Sequence, residues 1–284
     1  MSAERPNRRT YQSYAASKSL AELAVAASPQ GLDFTLERGE FLAVLGPNGT
    51  GKTSLLRILL GLLEPSRGRV SIAGRPPREA RGRVGYVPQQ RTLDRDLALR
   101  GRDLVRLGFD GHRFGFGRLP PACRERIERV LREVGAAAFA DRPVGRLSGG
   151  EQQRLRVAQA LVSEPELLLA DEPLLSLDLA YQRIVTGLLD ARRRSAGTPV
   201  VFVTHDLNPV LPLVDRVLYL APGRWAIGSA DEVMTSQTLS ALYDTEVDVL
   251  RVRGRVVVVG TPDDHDVHHH HHHEHGAHEH AVRP

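Results

Sequence analysis

The chain has 284 residues, of which 41% are hydrophobic and 25% are charged. This composition excludes a wholly disordered, collagen-like or coiled-coil chain, and the length suits one large α/β domain or a core with an inserted subdomain. The net charge of +4 is too small to indicate a nucleic-acid surface. The richest apolar run, residues 55–63, is too short for a membrane span. The single Cys123 forms no internal disulfide, which favours a reducing cytoplasm.

The first half of the chain is expected to alternate short strands with helices. Residues 1–18 are predicted to be a flexible leader. Residues 91–145 have a helical pattern, which predicts an inserted helical subdomain. A helix is predicted from Lys52 to about Leu63. Apolar runs between turn residues predict strands at 20–27, 32–36, 41–45, 70–73 and 84–87.

The second half continues the alternation. Helices are predicted near 149–162 and 179–194, with apolar strands at 167–170 and 200–203. Such continuous apolar strands between helices predict a parallel sheet that is covered on both faces. Further strands are predicted at 217–220, 225–227, 247–252 and 255–259. Residues 263–284 have no apolar pattern and are expected to be disordered.

A glycine-rich segment between a predicted strand and a predicted helix matches the phosphate-loop pattern. Its glycines allow backbone N–H groups to face an anion, and the helix N-terminus adds partial positive charge. Lys52 is expected to reach the β- and γ-phosphates of a nucleotide, and Thr53 to ligate Mg²⁺. The alternative is a chance glycine turn with a surface lysine. The predicted nucleotide-binding residues of this segment are Gly46, Pro47, Asn48, Gly49, Thr50, Gly51, Lys52, Thr53 and Ser54.

Two carboxylates follow the apolar strand predicted at 167–170. Asp171 suits the Mg²⁺ shell, and Glu172 can polarise the water that attacks a γ-phosphate. The alternative is a pair of ordinary loop acids, which the phosphate loop upstream makes less favoured.

The segment Leu-Ser-Gly-Gly-Glu opens the helix predicted near residue 149. Ser148 and Glu151 have the spacing of a capping box, so a well-capped helix is one interpretation. A capping box does not need Gly149 and Gly150, which lower helix propensity but leave backbone N–H groups accessible to an anion. A second phosphate-binding helix end implies that two chains share each nucleotide.

These segments and a Thr-His-Asp triplet after the last core strand, in this order, resemble the ATP-binding cassette (ABC) ATPases over residues 19–230. The resemblance implies a P-loop NTPase fold with a mostly parallel core sheet, an antiparallel β subdomain and an inserted helical subdomain, together filling residues 19–262. It also implies a head-to-tail homodimer, in which Ser148, Gly149 and Gly150 of one subunit close on the ATP and Mg²⁺ held by the other.

The resemblance assigns roles to further residues. His205 contacts the γ-phosphate and the attacking water as a switch. Gln89 touches Mg²⁺ and senses the membrane partner. Ser176-Leu177-Asp178 forms the loop that couples the two nucleotide sites, with Asp178 near the nucleotide. Members of the family usually stack adenine on an aromatic residue, which the turn at 26–30 lacks. The alternatives are that Tyr11 or Tyr14 replaces it or that base stacking is weak, so the adenine contacts stay open.

A transporter role and its partners follow from the same resemblance. The chain is expected at the inner face of the cell membrane, where a separate permease docks near Gln89 and residues 91–110. Arg142-Pro143-Val144 and residues 239–259 are similar to ATPases of zinc and manganese uptake systems, which adds an extracytoplasmic metal-binding protein as an indirect partner. The alternatives are another cargo such as an iron-siderophore, a soluble ABC ATPase of translation or DNA repair, or a metal-buffering protein.

Histidines dominate the predicted tail, together with interspersed acids. Neutral imidazoles on a flexible segment are good ligands for Zn²⁺, Ni²⁺ or Cu²⁺. The alternative is a purification tag, but the residues that follow the six consecutive histidines are not what a tag requires. The candidate metal ligands are His265, His268, His269, His270, His271, His272, His273, His275, His278 and His280.

Overall fold

The computed structural model describes residues 23–27, 31–89, 94–110, 120–175 and 177–260. In chain order its strands are β1 (Leu23–Ala27), β2 (Asp33–Leu36), β3 (Phe41–Leu45), β4 (Gly68–Ile72), β5 (Val84–Val87), β6 (Leu167–Asp171), β7 (Val200–Val203), β8 (Arg216–Ala221), β9 (Arg224–Gly228), β10 (Asp248–Val252) and β11 (Arg255–Val259). Its α-helices are α1 (Lys52–Leu59), α2 (Pro77–Ala80), α3 (Gly101–Asp110), α4 (Pro121–Glu133), α5 (Gly149–Val162), α6 (Leu179–Ala196), α7 (Ala230–Val233) and α8 (Ser236–Tyr243).

A mostly parallel sheet forms the centre of the fold, with the strand order β5-β6-β7-β3-β8-β9. Neighbours from β5 to β8 are parallel, and β9 runs antiparallel to β8. Every residue of β3 and β7 is buried, as expected for strands covered on both faces. The loops that follow β5, β6, β7 and β3 therefore lie side by side at the carboxyl edge of the sheet, where ligands bind in open parallel sheets.

A second, antiparallel sheet has the strand order β2-β1-β4. Leu36 of β2 and Ile72 of β4 share a buried apolar cluster with Leu56 and Leu59 of α1. This packing attaches the antiparallel sheet to the helix that follows the phosphate loop. The predicted fold class, with a mostly parallel core and an antiparallel β portion, is confirmed.

Helices α3 and α4 occupy the chain between β5 and α5. Helix α3 packs closely on α5 at two glycines: a Cβ on Gly101 would lie 2.9 Å from a Leu155 methyl, and one on Gly108 would lie 2.5 Å from a Val162 methyl. Such approaches leave no room for a side chain. The bounds predicted for the leader, the helical subdomain and the tail stay predictions.

Three local expectations differ from the structure. Helix α1 ends at Leu59 rather than near Leu63, because Gly61 turns the chain with a φ of +66°. Leu62 and Leu63 follow that turn and are 65% and 46% exposed. Helix α2 lies between two predicted strands, where no helix was predicted. Helices α7 and α8 also lie in a stretch for which no helix was predicted. Both are short and begin at hydroxyl caps, Ser229 and Thr235, so capping and tertiary packing define them more than apolar periodicity does.

Candidate functional site

The phosphate loop connects the end of β3 to the first residue of α1. Gly46, Gly49 and Gly51 have φ values of +136°, +81° and +103°, a region that favours glycine. A Cβ on Gly46 would also collide with the backbone carbonyl of Leu220 in β8. The glycines therefore permit both the turns of the loop and its close approach to the sheet. The loop ends at a helix N-terminus, whose partial positive charge suits a phosphate.

Lys52 lies against this loop and is only 7% exposed. Its Nζ donates to the carbonyl oxygen of Gly46 and, at 2.7 Å, to that of Pro47. Thr50 Oγ1 donates to the same Pro47 oxygen at 2.9 Å. The Lys52 ammonium group therefore lies at the loop where it is predicted to bind the phosphates of a nucleotide.

Asp171 is the last residue of β6, and it accepts a hydrogen bond from Tyr86 Oη at 3.3 Å. Burial, and next the charge of Glu172, raise the pKa of Asp171; the Tyr86 hydrogen bond and the charges of Lys52 and His205 act in the opposite direction. A carboxylate whose charge is disfavoured by its surroundings gains from a nearby cation, which suits its predicted role as a Mg²⁺ ligand.

Glu172 follows directly and has a left-handed backbone, with a φ of +46°. For a residue other than glycine this conformation costs about 1–2 kcal/mol. A hydrogen bond from its N–H to the Val203 carbonyl, at 3.0 Å, holds the residue in place. One carboxylate oxygen lies 2.5 Å from His205 Nε2, and the other accepts from Gln89 Nε2 at 2.8 Å. The structure therefore brings together the three residues that were predicted to be catalytic.

Glu172, His205 and Gln89 line a cavity of about 350 Å³, which we call the phosphate cavity. The predicted Mg²⁺ ligands Thr53, Gln89 and Asp171 line the same cavity as Lys52. Hydroxyl, amide and carboxylate oxygens are the ligands that Mg²⁺ prefers, so these residues fit a Mg²⁺ bound with a nucleotide. The full lining is Asn48, Gly49, Gly51, Lys52, Thr53, Ser54, Gln89, Asp171, Glu172, Val203 and His205.

The Leu-Ser-Gly-Gly-Glu segment forms the capped start of α5. Ser148 Oγ accepts from the Glu151 N–H at 3.3 Å, and Glu151 Oε2 accepts from the Ser148 N–H at 2.8 Å, which completes a capping box. In the described part of the chain, Ser148, Gly149 and Gly150 are not among the residues that line the phosphate cavity. Their predicted contact with a nucleotide stays a prediction.

Gly46, Pro47 and Thr50 of the phosphate loop are also not among the described residues that line this cavity. A further predicted nucleotide contact outside the cavity, Asp178, lies in the loop before α6. Asp178 Oδ1 accepts from the Tyr181 N–H at 2.9 Å and so caps α6. Leu175 and Leu179, on either side of this loop, are 48% and 71% exposed. Ser176 lies outside the described residues.

Other predictions also fall on residues that the structure does not describe. They are the metal-binding tail, from His265 to His280, and the adenine-stacking candidates Tyr11 and Tyr14. Within the described ranges, no cluster of three or more His, Cys, Asp or Glu side chains could hold a metal ion. Nor does any helix in those ranges combine the length and apolarity needed to cross a bilayer.

Sequence reasoning missed two side chains at this edge of the sheet. Tyr86 precedes the end of β5, and the pairing of β5 with β6 brings it to Asp171; knowledge of that pairing would have found it. Asn208 follows His205 by three residues and bonds to the β10–β11 hairpin. No local pattern in the sequence signals that contact.

A phosphate loop with its lysine, facing two acids at the end of a nearby parallel strand, places the protein among the P-loop ATPases. The family model for ABC transporters matches residues 29–175 of this chain. The chain belongs to the ABC transporter family. It is accordingly an ATPase that uses ATP and Mg²⁺ and works with a membrane permease.

Relatives and a solved structure resemble most of the chain. The manganese transport system ATP-binding protein MntB of Halalkalibacterium halodurans is 34% identical over 78% of this chain and 88% of its own length. The zinc transport system ATP-binding protein TroB of Treponema pallidum is 37% identical over 75% of this chain and 79% of its own. A metal-chelate type ABC transporter in an inward-facing conformation aligns with a TM-score of 0.69 and 30% identity, covering 84% and 96% of the two chains.

Proposed function

We propose that this ATPase energises the import of a divalent metal ion, zinc or manganese. The observation that carries the ATPase mechanism is the Glu172 carboxylate, held between His205 and Gln89 beside the phosphate loop. The proposed cargo is supported by the names of two relatives, which are ATP-binding proteins of a manganese and a zinc transport system.

In the proposed mechanism, Glu172 accepts a proton from the water that attacks the γ-phosphate. Both of its carboxylate oxygens already have partners in the structure, His205 and Gln89. One of these contacts must therefore open, or be shared, before Glu172 can orient a water. His205 is then free to donate toward the phosphate, which is the role of a switch. Positioning of this kind supplies most of the catalysis of phosphoryl transfer.

The phosphate loop and Lys52 hold the phosphates of ATP. In the structure, Lys52 Nζ donates hydrogen bonds to carbonyl oxygens of this loop. Thr53, Asp171 and Gln89 would hold Mg²⁺, which would neutralise charge on the phosphate oxygens. Asp171 is suited to this task because burial, and next the charge of Glu172, raise its pKa, so a bound cation offsets a negative charge that the surroundings disfavour.

The proposed active form is a head-to-tail homodimer. Its support is that the capped start of α5, at Ser148, lies outside the phosphate cavity of its own chain, so a second copy has to bring this helix end to the nucleotide. The exposed Leu175 and Leu179 beside Asp178 offer apolar surface for such an interface.

The remaining partners follow from the transporter role. The ATPase binds its permease at the inner face of the cell membrane, and an extracytoplasmic metal-binding protein delivers the ion to that permease. The proposal also assigns Zn²⁺ binding to the histidine-rich tail. No nucleic acid takes part.

Uptake by cells tests the cargo. A strain that lacks this protein is complemented with the wild type, with Glu172→Gln or with Glu166→Gln, and uptake of radioactive zinc, manganese and a ferric siderophore is measured. Glu166 is a matched control, because this carboxylate pairs with Arg83 at 2.7 Å at the opposite end of β6 from the site. Zinc or manganese uptake should return with the wild type and the control but not with Glu172→Gln. Restored siderophore uptake alone would assign the other cargo, and no uptake with association to ribosomes would indicate a soluble ABC ATPase.

A further inference from the structure

The β10–β11 hairpin, residues 248–259, packs beside the loop that contains His205. Val256 is 6% exposed and belongs to the main buried cluster, and Val258 packs against that cluster. The hairpin also shares a cavity of about 260 Å³ with the phosphate loop and the switch loop, which we define as residues 204–208. Gly46, Pro47, His205 and Val256 all contribute to its wall.

One side chain joins the hairpin to the switch loop. Asn208 Nδ2 donates to the Val256 carbonyl at 3.0 Å, and Asn208 Oδ1 accepts from the Val256 N–H at 2.8 Å. A carboxamide has the donor and acceptor geometry of a peptide group, so Asn208 pairs with Val256 as a neighbouring strand would. Both backbone groups of Val256 are satisfied by this single side chain.

The same amide is tied to the residues that flank His205. Asp206 Oδ1 accepts from the Asn208 N–H at 2.9 Å and from Asn208 Nδ2 at 2.8 Å. Thr204 Oγ1 donates to the Asp206 carbonyl at 2.8 Å and accepts from the Asp206 N–H at 3.1 Å. The backbone on both sides of His205 is therefore fixed by hydrogen bonds that continue to the hairpin.

We propose that Asn208 is a positioning residue for ATP hydrolysis, through which the docked β10–β11 hairpin holds His205 in place against Glu172. This inference rests on the proposed roles of His205 and Glu172. Asn208 touches neither the phosphate cavity nor Glu172, so its loss acts on the orientation of His205 and not on the phosphate loop. The turnover number should therefore respond, while the KM for ATP should not.

Asn208→Ala removes every side-chain bond between the loop and Val256. We expect kcat to fall about tenfold with KM for ATP unchanged within about twofold, in the range by which coupled positioning residues act. Asn208→Asp has the same shape but loses both donated bonds and places a second carboxylate beside Asp206, so its kcat should fall at least as far. Melting temperatures are measured for each variant.

Arg251→Ala is the matched control. Arg251 anchors the hairpin elsewhere, with its Nη2 2.7 Å from Asp231 Oδ1 and 3.3 Å from the Ala230 carbonyl. Its loss removes these contacts but leaves both hydrogen bonds between Asn208 and Val256 in place, so kcat should remain near the wild-type value. Wild-type kcat in Asn208→Ala, or equal losses in Asn208→Ala and Arg251→Ala, would overturn the inference.

Two further measurements keep the outcome decisive. If Glu172→Gln is inactive while Asn208→Ala turns over normally, the hairpin inference fails and the proposed function stands; if Glu172→Gln turns over normally, the catalytic proposal itself fails. Should Asn208 variants not fold, hydrogen exchange is followed in the Glu172→Gln protein. Because coupling is reciprocal, ATP should change exchange rates across residues 248–259 by about threefold or more, and unchanged rates would refute the coupling.

Discussion

Replacing Glu172 by glutamine tests the catalytic proposal most directly. The amide keeps the size of the side chain but cannot accept a proton from water, and positioned acid–base groups contribute about 10²–10⁴ in rate. The corresponding rise in the activation barrier is about 3–5.5 kcal/mol. The loss in the free energy of unfolding is smaller than this rise in the barrier. The amide keeps one acceptor oxygen, so only one of the two contacts, to His205 or to Gln89, is lost, which costs about 1 kcal/mol. The φ of +46° is equally tolerable for glutamine.

The two magnitudes separate catalysis from stability. Phosphate release under saturating Mg²⁺ and ATP should fall by at least about 10²-fold, while binding of a fluorescent ATP analogue and the melting temperature stay close to those of the wild type. ATP should also trap this variant as a dimer in light scattering. Glu166→Gln, which removes only a partly exposed ion pair with Arg83, should retain full turnover. Turnover by Glu172→Gln within threefold of the wild type would refute the role of this carboxylate.

Three further predictions concern the dimer, the helical packing and the predicted Mg²⁺ ligand Asp171. Leu179→Glu places an acid at the first turn of α6 on a side chain that is 71% exposed, so the monomer should melt as before while ATP-induced dimers disappear from light scattering. Gly108→Ala should destabilise the protein by about 1–3 kcal/mol, seen as a melting temperature lower by several degrees, because its Cβ has no room against α5. Gly187→Ala, in open space on α6, should instead be neutral or stabilising by up to about 1 kcal/mol, and an equal loss in both variants would contradict the packing argument. Because burial and Glu172 raise the pKa of Asp171, protons should compete with Mg²⁺ at higher pH than at an ordinary aspartate, and Mg²⁺-dependent ATP binding should weaken as pH falls. Glu172→Gln removes the like charge and lowers that pKa, so binding should persist to lower pH; a shift toward higher pH would contradict this.

Local features of the site could be read from the sequence because they depend on short stretches of backbone. The phosphate loop needs glycine where φ is positive, and Gly46, Gly49 and Gly51 all have such values. The start of α5 was likewise predictable, since Ser148 and Glu151 form their capping box within one turn. Features of this kind are set by residues only a few positions apart.

The strand order could not be obtained in the same way. Continuous apolar runs indicated a parallel sheet, but nothing local shows that β6 lies between β5 and β7. That order decides which loops meet, and it explains why the Tyr86 contact with Asp171 was missed. The Asn208 contact with Val256 was missed because β11 belongs to a separate two-stranded sheet, and no local pattern shows where that hairpin packs. Both join residues that are far apart in the chain.

The position of β6 also explains how the contacts of Glu172 can change when the loops on either side of it move. It follows a strand whose two neighbours end in the loops of Gln89 and His205, and its carboxylate bonds to both. Its left-handed backbone is held by a hydrogen bond to Val203, the last residue of β7, so the strain is stabilised by the sheet and not by a ligand. A displacement of either neighbouring loop therefore changes the partners of Glu172 without requiring the sheet to move. Gln89 precedes the region at which the permease is proposed to dock, and His205 is tied to the β10–β11 hairpin through Asn208. In the proposed mechanism, the contacts of Glu172 therefore respond both to the permease, through Gln89, and to the hairpin, through His205.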